Sequence, residues 1–263
     1  RRSPIFEFVS LTMDILLFIG GIIAGIVNTL AGNGSALTVS LLLLGGLDGA
    51  AANASNRIGV MTQTITGIFS LKKTSRRNYL FAKGKNLILP TLAGSISGGL
   101  IGSQISPEIM EWSLAIVMTS MLATLFWKKD RWTGFSESTR NLNSFKSGML
   151  FFLIGFYGGY VQMGIGVLML SVLVLADKWS IRDANVIKLL MAAVLSVPAG
   201  LIYIYNDLII WKPALILAAG STLGAWFGAR YIVRIPKAQR YIRWLLIIVI
   251  SGGAIQALHK AIS

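Results

Sequence analysis

The sequence contains no cysteine and only one histidine, His259, which lies near its C-terminus. Without cysteine there is no disulfide bond, no thiolate metal site and no thiol nucleophile. A single peripheral histidine also argues against a metal centre built from imidazole ligands and against a histidine general base. We therefore expect no metal site, no other cofactor, no catalytic residues and no enzymatic activity.

Charged residues are scarce, because they make up 13% of the 263 residues, against roughly 25% in soluble domains. Hydrophobic residues make up 54%, and the mean hydropathy is positive. Apolar segments of about 20 residues recur along the chain, which is the length that a helix needs to cross the hydrocarbon core of a bilayer. This composition predicts an all-α integral membrane protein that crosses the bilayer several times and is surrounded by lipid.

Acidic residues are few as well, since 24 Lys and Arg stand against 10 Asp and Glu. A net charge of +14 could point to nucleic acid, but the basic residues are clustered. Six lie in 72–85, five in 128–146 and five in 230–243, in short loops between apolar segments. Cytoplasmic loops of membrane proteins carry such an excess of Lys and Arg. We therefore expect no nucleic acid partner.

Ten hydrophobic segments are predicted, five in each half of the chain. We expect a first membrane repeat over 1–130, a cytoplasmic linker over 131–146 and a second membrane repeat over 147–263. The second and seventh segments cover only about half of a hydrocarbon core of about 30 Å, so they are predicted to be short half-helices. The segments are 10–31, 36–47, 51–71, 86–104, 111–127, 148–165, 167–176, 184–205, 212–233 and 241–258.

The loop charges predict that the two repeats are inverted. The loop after the third segment is strongly basic, whereas its counterpart after the eighth, 206–212, carries one acid and one base. The loop after the fourth segment holds Glu108 and Glu111 without a base, whereas its counterpart, 234–240, is basic. Equivalent loops of the two halves thus differ in charge in opposite ways. This is expected when five-segment repeats have opposite orientation in the membrane. Inverted repeats are the design of many alternating-access carriers.

Glycine-rich breaks precede both short segments, at Gly32-Asn-Gly34 and at Gly164-Ile-Gly166. A helix that begins at such a break presents unpaired N–H groups and a partial positive charge, so two of them near the membrane midplane form an anion site. Glycine also lets an oxyanion approach the backbone closely. The alternative is that these glycines only allow close helix packing.

Each repeat also carries one cation inside a hydrophobic segment, Arg57 in the first and Lys188 in the second. A buried cation in a membrane costs at least about 2.5 kcal/mol, so it is kept where it faces a cavity, a partner or a ligand. The alternative is that both side chains snorkel to the nearest interface. Asn56 adjoins Arg57 and Gln162 flanks the second break. The predicted substrate-binding residues are Asn33, Gly34, Ser35, Asn56, Arg57, Gln162, Gly164, Gly166 and Lys188.

Two stretches resemble a known family, the sulfite exporter TauE/SafE family. Gly25-Ile-Val-Asn-Thr-Leu-Ala-Gly-Asn-Gly-Ser35, with Ala52-Asn-Ala-Ser-Asn-Arg57, is similar to its first repeat, and Gly155-Phe-Tyr-Gly-Gly-Tyr160 resembles the opening of its second. The resemblance covers nearly the whole chain. It implies a multi-pass transporter of the bacterial inner (cytoplasmic) membrane that exports a small sulfur anion such as sulfite or an organosulfonate.

Two alternative functions stay open at this point. An anion channel would use the same cations in a continuous pore, and an uptake carrier would move another small anion inward. The expected partners are a small anionic substrate and membrane lipid, and a homodimer stays open.

Overall fold

The computed structural model describes residues 4–30, 32–71, 73–127, 145–177, 179–230 and 238–262. Within these ranges the chain forms ten α-helices and no β-strand, so the predicted all-α class is confirmed. The helices are α1 (Pro4–Leu30), α2 (Gly34–Leu44), α3 (Gly49–Ser70), α4 (Ser75–Gly102), α5 (Pro107–Trp127), α6 (Phe145–Tyr160), α7 (Ile165–Ser171), α8 (Ile181–Tyr205), α9 (Trp211–Arg230) and α10 (Ala238–Ile262).

Each of the ten predicted segments corresponds to one of these helices. α4 and α6 differ most, because α4 begins at Ser75 in the basic loop and α6 ends at Tyr160, before the second break. The predicted linker lies mostly outside the described residues, and its last two residues already belong to α6. The division into repeats stays a prediction.

The second and seventh helices are short, as expected from the sequence. α2 has 11 residues, which corresponds to about 16 Å at ~1.5 Å per residue. α7 has 7 residues and continues into a π-helical turn, Val172–Ala176. Their position as half-helices in a membrane stays a prediction.

Two described segments, Leu11–Thr29 and Ile181–Tyr205, are long and apolar enough to cross a membrane. The distribution of polarity points the same way, because large apolar side chains lie on the outside. Leu89 is 74% exposed and Ile248 is 70% exposed, whereas Arg57 and Gln162 are buried. An apolar exterior around buried polar groups is typical of helices surrounded by lipid.

In two helix pairs, small residues allow the backbones of the two helices to contact each other. In the pair α1 and α9, a methyl group on Gly25 would overlap the carbonyl oxygen of Ser221, and one on Gly224 would overlap that of Ile22. In the pair α4 and α6, the same relation joins Gly98 to Phe156 and Gly159 to Ser95. Such close approach is how membrane helices associate through small residues.

Two sets of packing pairs are equivalent when each helix of the first half is matched with the helix five places later. The pair α1 and α9 corresponds to α6 and α4, and the pair α3 and α9 corresponds to α8 and α4. α3 and α8 contact each other in antiparallel orientation, since Asn53 lies at Tyr203 whereas Gly67 lies at Leu189. The long helices of each half therefore pack mainly on helices of the other half.

Candidate functional site

The two glycine breaks meet at the centre of the fold. Gly32 and Gly164 adopt left-handed backbone conformations, with φ of 80° and 66°. A side chain on Gly32 would overlap the backbone of Gly166, and a side chain on Gly166 would overlap that of Gly32. Glycine is needed here for both reasons, because other residues rarely adopt positive φ and because any Cβ would separate the two segments.

A small cavity lies beside this crossing, between the breaks and helices α3 and α8. The N-terminus of α2 contributes Ser35, whose residue is 4% exposed. The last turn of α1 contributes Asn28, the second break contributes Gln162, and α8 contributes Lys188. The complete lining consists of Asn28, Gly32, Ser35, Val60, Thr64, Gln162, Ile165, Gly166, Lys188, Leu189, Ala192 and Leu195.

Gln162 carries an unpaired amide in this cavity. Its residue is 1% exposed, and neither Nε2 nor Oε1 has a hydrogen-bond partner among the described residues. Its backbone is fixed instead, because its N–H donates to Oδ1 of Asn53 at 3.4 Å. Burying an amide without a partner is unfavourable by roughly 1–3 kcal/mol. A ligand in the cavity would satisfy it.

Lys188 supplies the positive charge. Its residue is 2% exposed, and Nζ donates to the carbonyl oxygens of Asn28 and Thr29, at 3.2 Å each. These carbonyls belong to the last turn of α1, whose partial negative charge favours a cation. No carboxylate pairs with Lys188 in the described part of the chain. The ammonium group has three donors, so two are used and one remains.

Arg57 lies outside the cavity wall and binds the end of another helix. Its guanidinium donates to the carbonyl oxygens of Gly158, Gly159 and Tyr160, at 3.1, 2.6 and 3.0 Å. The same group stacks on the ring of Tyr203, 3.9 Å from the centroid. Both buried cations thus cap the C-terminus of the first helix of the opposite half, Lys188 on α1 and Arg57 on α6. Both side chains are buried within the protein.

Four of the nine predicted site residues line the cavity: Ser35, Gln162, Gly166 and Lys188. Besides Arg57, the other four lie behind the wall. Gly34 packs on the carbonyl of Ala24, and Gly164 faces the side chain of Met121. Asn33 precedes α2 with its Oδ1 buried and unpaired, and Asn56 accepts a hydrogen bond from Thr38 while its Nδ2 has no described partner. Their roles in substrate binding stay predictions.

Sequence reasoning did not select Asn28, the lining residues of α3 or the apolar lining residues of α8. Asn28 and Gln162 are amide residues that each precede a break, in the short stretches Gly25-Ile-Val-Asn28 and Gly159-Tyr-Val-Gln162. That position before a break was the available signal. Val60 and Thr64 follow Arg57 by three and seven positions, and Leu189, Ala192 and Leu195 repeat at the same helical spacing. No group of three or more His, Cys, Asp or Glu residues that could hold a metal occurs in the described ranges.

Comparisons with known proteins agree with the resemblance. The family described as "Sulfite exporter TauE/SafE" matches residues 17–257. The chain is 25% identical over 253 residues to "Probable membrane transporter protein YfcA" of Escherichia coli K12, covering 94% of this chain and 90% of the relative. It is 24% identical over 243 residues to "Probable membrane transporter protein ORF9" of Sinorhizobium, covering 92% and 91%. No solved structure matches it.

Proposed function

This chain belongs to the sulfite exporter TauE/SafE family and is a membrane transporter, and we propose that it exports a small sulfur-containing anion, such as sulfite or an organosulfonate, by alternating access. The observation that carries this proposal is the cavity at the crossing of the two glycine breaks. There, among the described residues, Lys188 has no carboxylate partner and the side-chain amide of Gln162 has no hydrogen-bond partner.

The chemistry of the cavity favours an anion. Its polar groups include an ammonium, an amide on either side of the pseudo-symmetric crossing and the hydroxyl of Ser35. The first N–H groups of α2 have no acceptor within their helix, which adds donors and a partial positive charge beside Ser35. A cation carrier would need an Asp or Glu at its site, and none lies on the cavity wall among the described residues. An oxyanion accepts hydrogen bonds from all of these donors.

The packing supports an inverted-repeat carrier of the inner membrane. The equivalent pairs of helices, and the antiparallel contact of α3 with α8, are what two oppositely oriented five-helix repeats produce. Two bundles follow from the backbone-to-backbone packing, one containing α1 and α9 and one containing α4 and α6. Alternating access would move these bundles against each other around the cavity. A negative-inside potential favours anion export by about 2.3 kcal/mol per charge per 100 mV.

Binding and transport by the purified protein test this function. Calorimetry against sulfite, sulfate, thiosulfate, sulfoacetate and taurine identifies the anion, and counterflow in proteoliposomes establishes carrier exchange. Saturable counterflow is expected, whereas unsaturable flux without counterflow would indicate a channel. Inward-only uptake of the bound anion would reverse the proposed direction.

A matched pair of glutamine variants tests the location. Gln162→Met removes the unpaired amide from the cavity and is expected to weaken anion binding by about tenfold or more. Gln63→Met removes a glutamine that is equally buried, with Oε1 unpaired, but that lies off the cavity wall. Binding by Gln63→Met should be unchanged. Equal loss in both variants would show that the cavity is not the binding site.

A further inference from the structure

We infer that this site selects its ligand by charge, binding small monoanions and discriminating against dianions of the same size. The inference rests on the proposed anion-binding function and adds to it the number of charges that the cavity accepts. It follows from how the charged and polar groups around the cavity are already paired.

The cavity offers about one positive charge. Lys188 is the one ionisable side chain on its wall among the described residues. The second buried cation, Arg57, is off the wall and committed to three carbonyl oxygens of α6. The helix termini add little net charge, because each is equivalent to roughly half an elementary charge. The negative end of α1 at Lys188 and the positive end of α2 at Ser35 therefore offset each other.

The remaining polar groups stabilise oxygens without adding charge. Gln162, Asn28 and Ser35 are neutral, and they can donate to the oxygens of a monoanion whose single charge is balanced by Lys188. A dianion would bring a second charge into a buried site with no second cation. Burial of an uncompensated charge is strongly unfavourable, and the carbonyl oxygens of Asn28 and Thr29 lie close to the ammonium of Lys188.

Most of the other lining residues are apolar. Val60, Ile165 and Leu195 belong to three different elements and line the cavity together with Leu189, and Thr64 adds one hydroxyl. An uncharged substituent, such as a methyl group or a protonated oxygen, fits against these side chains, whereas an ionised oxygen would be desolvated there. For sulfite, this assigns hydrogen sulfite as the bound form.

Methanesulfonate and sulfate are suitable probes, because they differ by a methyl group in place of one ionised oxygen. Calorimetric titration of the purified full-length protein in nanodiscs, at one pH and ionic strength, gives the ratio of their affinities. Methanesulfonate is expected to bind at least tenfold more tightly. Equal affinities, or tighter sulfate binding, would overturn charge selection while leaving an anion site. Binding of neither anion would overturn the proposed function, and the inference with it.

Adding a second cation should reverse the preference. In Gln162→Lys, the affinity for sulfate relative to that for methanesulfonate is expected to rise by at least tenfold. Gln162→Met should weaken the binding of both anions to a similar degree and keep the ratio of their affinities, and Lys188→Met should weaken the binding of both by about tenfold or more. The melting temperature shows whether each variant is folded. If Gln162→Lys is not folded, Asn28→Lys places the cation at a half-buried position on the cavity wall. A folded lysine variant with an unchanged ratio would contradict the inference.

Discussion

Arg57 and Lys188 look alike in the sequence, but the structure gives them different surroundings. Both lie inside helices, both are buried, and both donate to carbonyl oxygens at the end of a helix from the other half. Arg57 uses three carbonyls and the ring of Tyr203. Lys188 uses two carbonyls and borders the cavity. The first residue is therefore expected to stabilise the fold, and the second to stabilise the fold and bind the anion.

Substitution of each cation by methionine separates these roles. Arg57→Met leaves buried carbonyl oxygens without a donor, which should lower stability by at least about 1–3 kcal/mol. Anion affinity per folded molecule should change little. Lys188→Met removes the charge from the cavity and should lower anion affinity by about 10-fold to 150-fold, corresponding to roughly 1.5–3 kcal/mol. Thermal unfolding and calorimetric binding of both variants provide the test.

Two outcomes would contradict this assignment. If Arg57→Met lost affinity while keeping its melting temperature, Arg57 would be a direct substrate ligand, as the sequence alone suggested. If neither variant lost affinity, the anion would be held by neutral donors only.

At the scale of the helices, glycine determines how closely they pack. The breaks at Gly32 and Gly166 contact each other through their backbones, and glycines of α1, α4, α6 and α9 lie against carbonyl oxygens of the neighbouring helix. Gly34 of α2 is packed in the same way, against the carbonyl oxygen of Ala24 in α1. Substitution at Gly34 would therefore disturb α1 and α2 together, which makes it a poor test of anion binding.

The packing of α6 on α4 can be tested with one substitution at two positions of α6. Gly155→Ala places a methyl group onto the carbonyl of Thr91 and should lower stability by about 1–3 kcal/mol. Gly148→Ala places the same group where no atom lies within 4 Å. It should be neutral or stabilise the protein by about 0.5–1 kcal/mol, because alanine favours the helix. Thermal unfolding measures both, and similar melting temperatures for the two variants would contradict backbone-to-backbone packing of α4 and α6.

At the scale of the whole molecule, the two halves are interleaved. α1 packs on α9 and α4 packs on α6, so neither half buries its glycine faces alone. The antiparallel contact of α3 with α8 places the α3–α4 connection and the α8–α9 connection at opposite ends of these helices. In a membrane, these ends would lie on opposite sides.

Cysteine labelling tests this topology. Because the sequence contains no cysteine, only the introduced residue would be labelled. Lys73→Cys, in the α3–α4 connection, should react with an impermeant maleimide only from the cytoplasm. Asn206→Cys, after α8, should react only from outside. Both residues are exposed, so access is limited by the membrane and not by burial. Labelling of both from the same side would contradict inverted repeats.

The sequence by itself determined the helical class, the ten segments and the two short helices. Hydropathy and glycine breaks are local signals, and they depend little on how helices pack. It also selected Ser35, Gln162, Gly166 and Lys188, because a break or a buried charge marks each of them. The lining residues of α3 and α8 had only a helical spacing, which does not say which face is turned to the cavity.

Only the tertiary structure decided which of the two cations borders the cavity. α1 and α6 end at different points relative to their matching sequences, since α1 includes Asn28 in its last turn whereas α6 ends before Gln162. Lys188 therefore meets carbonyls beside the cavity, whereas Arg57 meets carbonyls behind it. The point at which a helix ends against its neighbours depends on packing across the whole fold, and the sequences around Arg57 and Lys188 carry no such information.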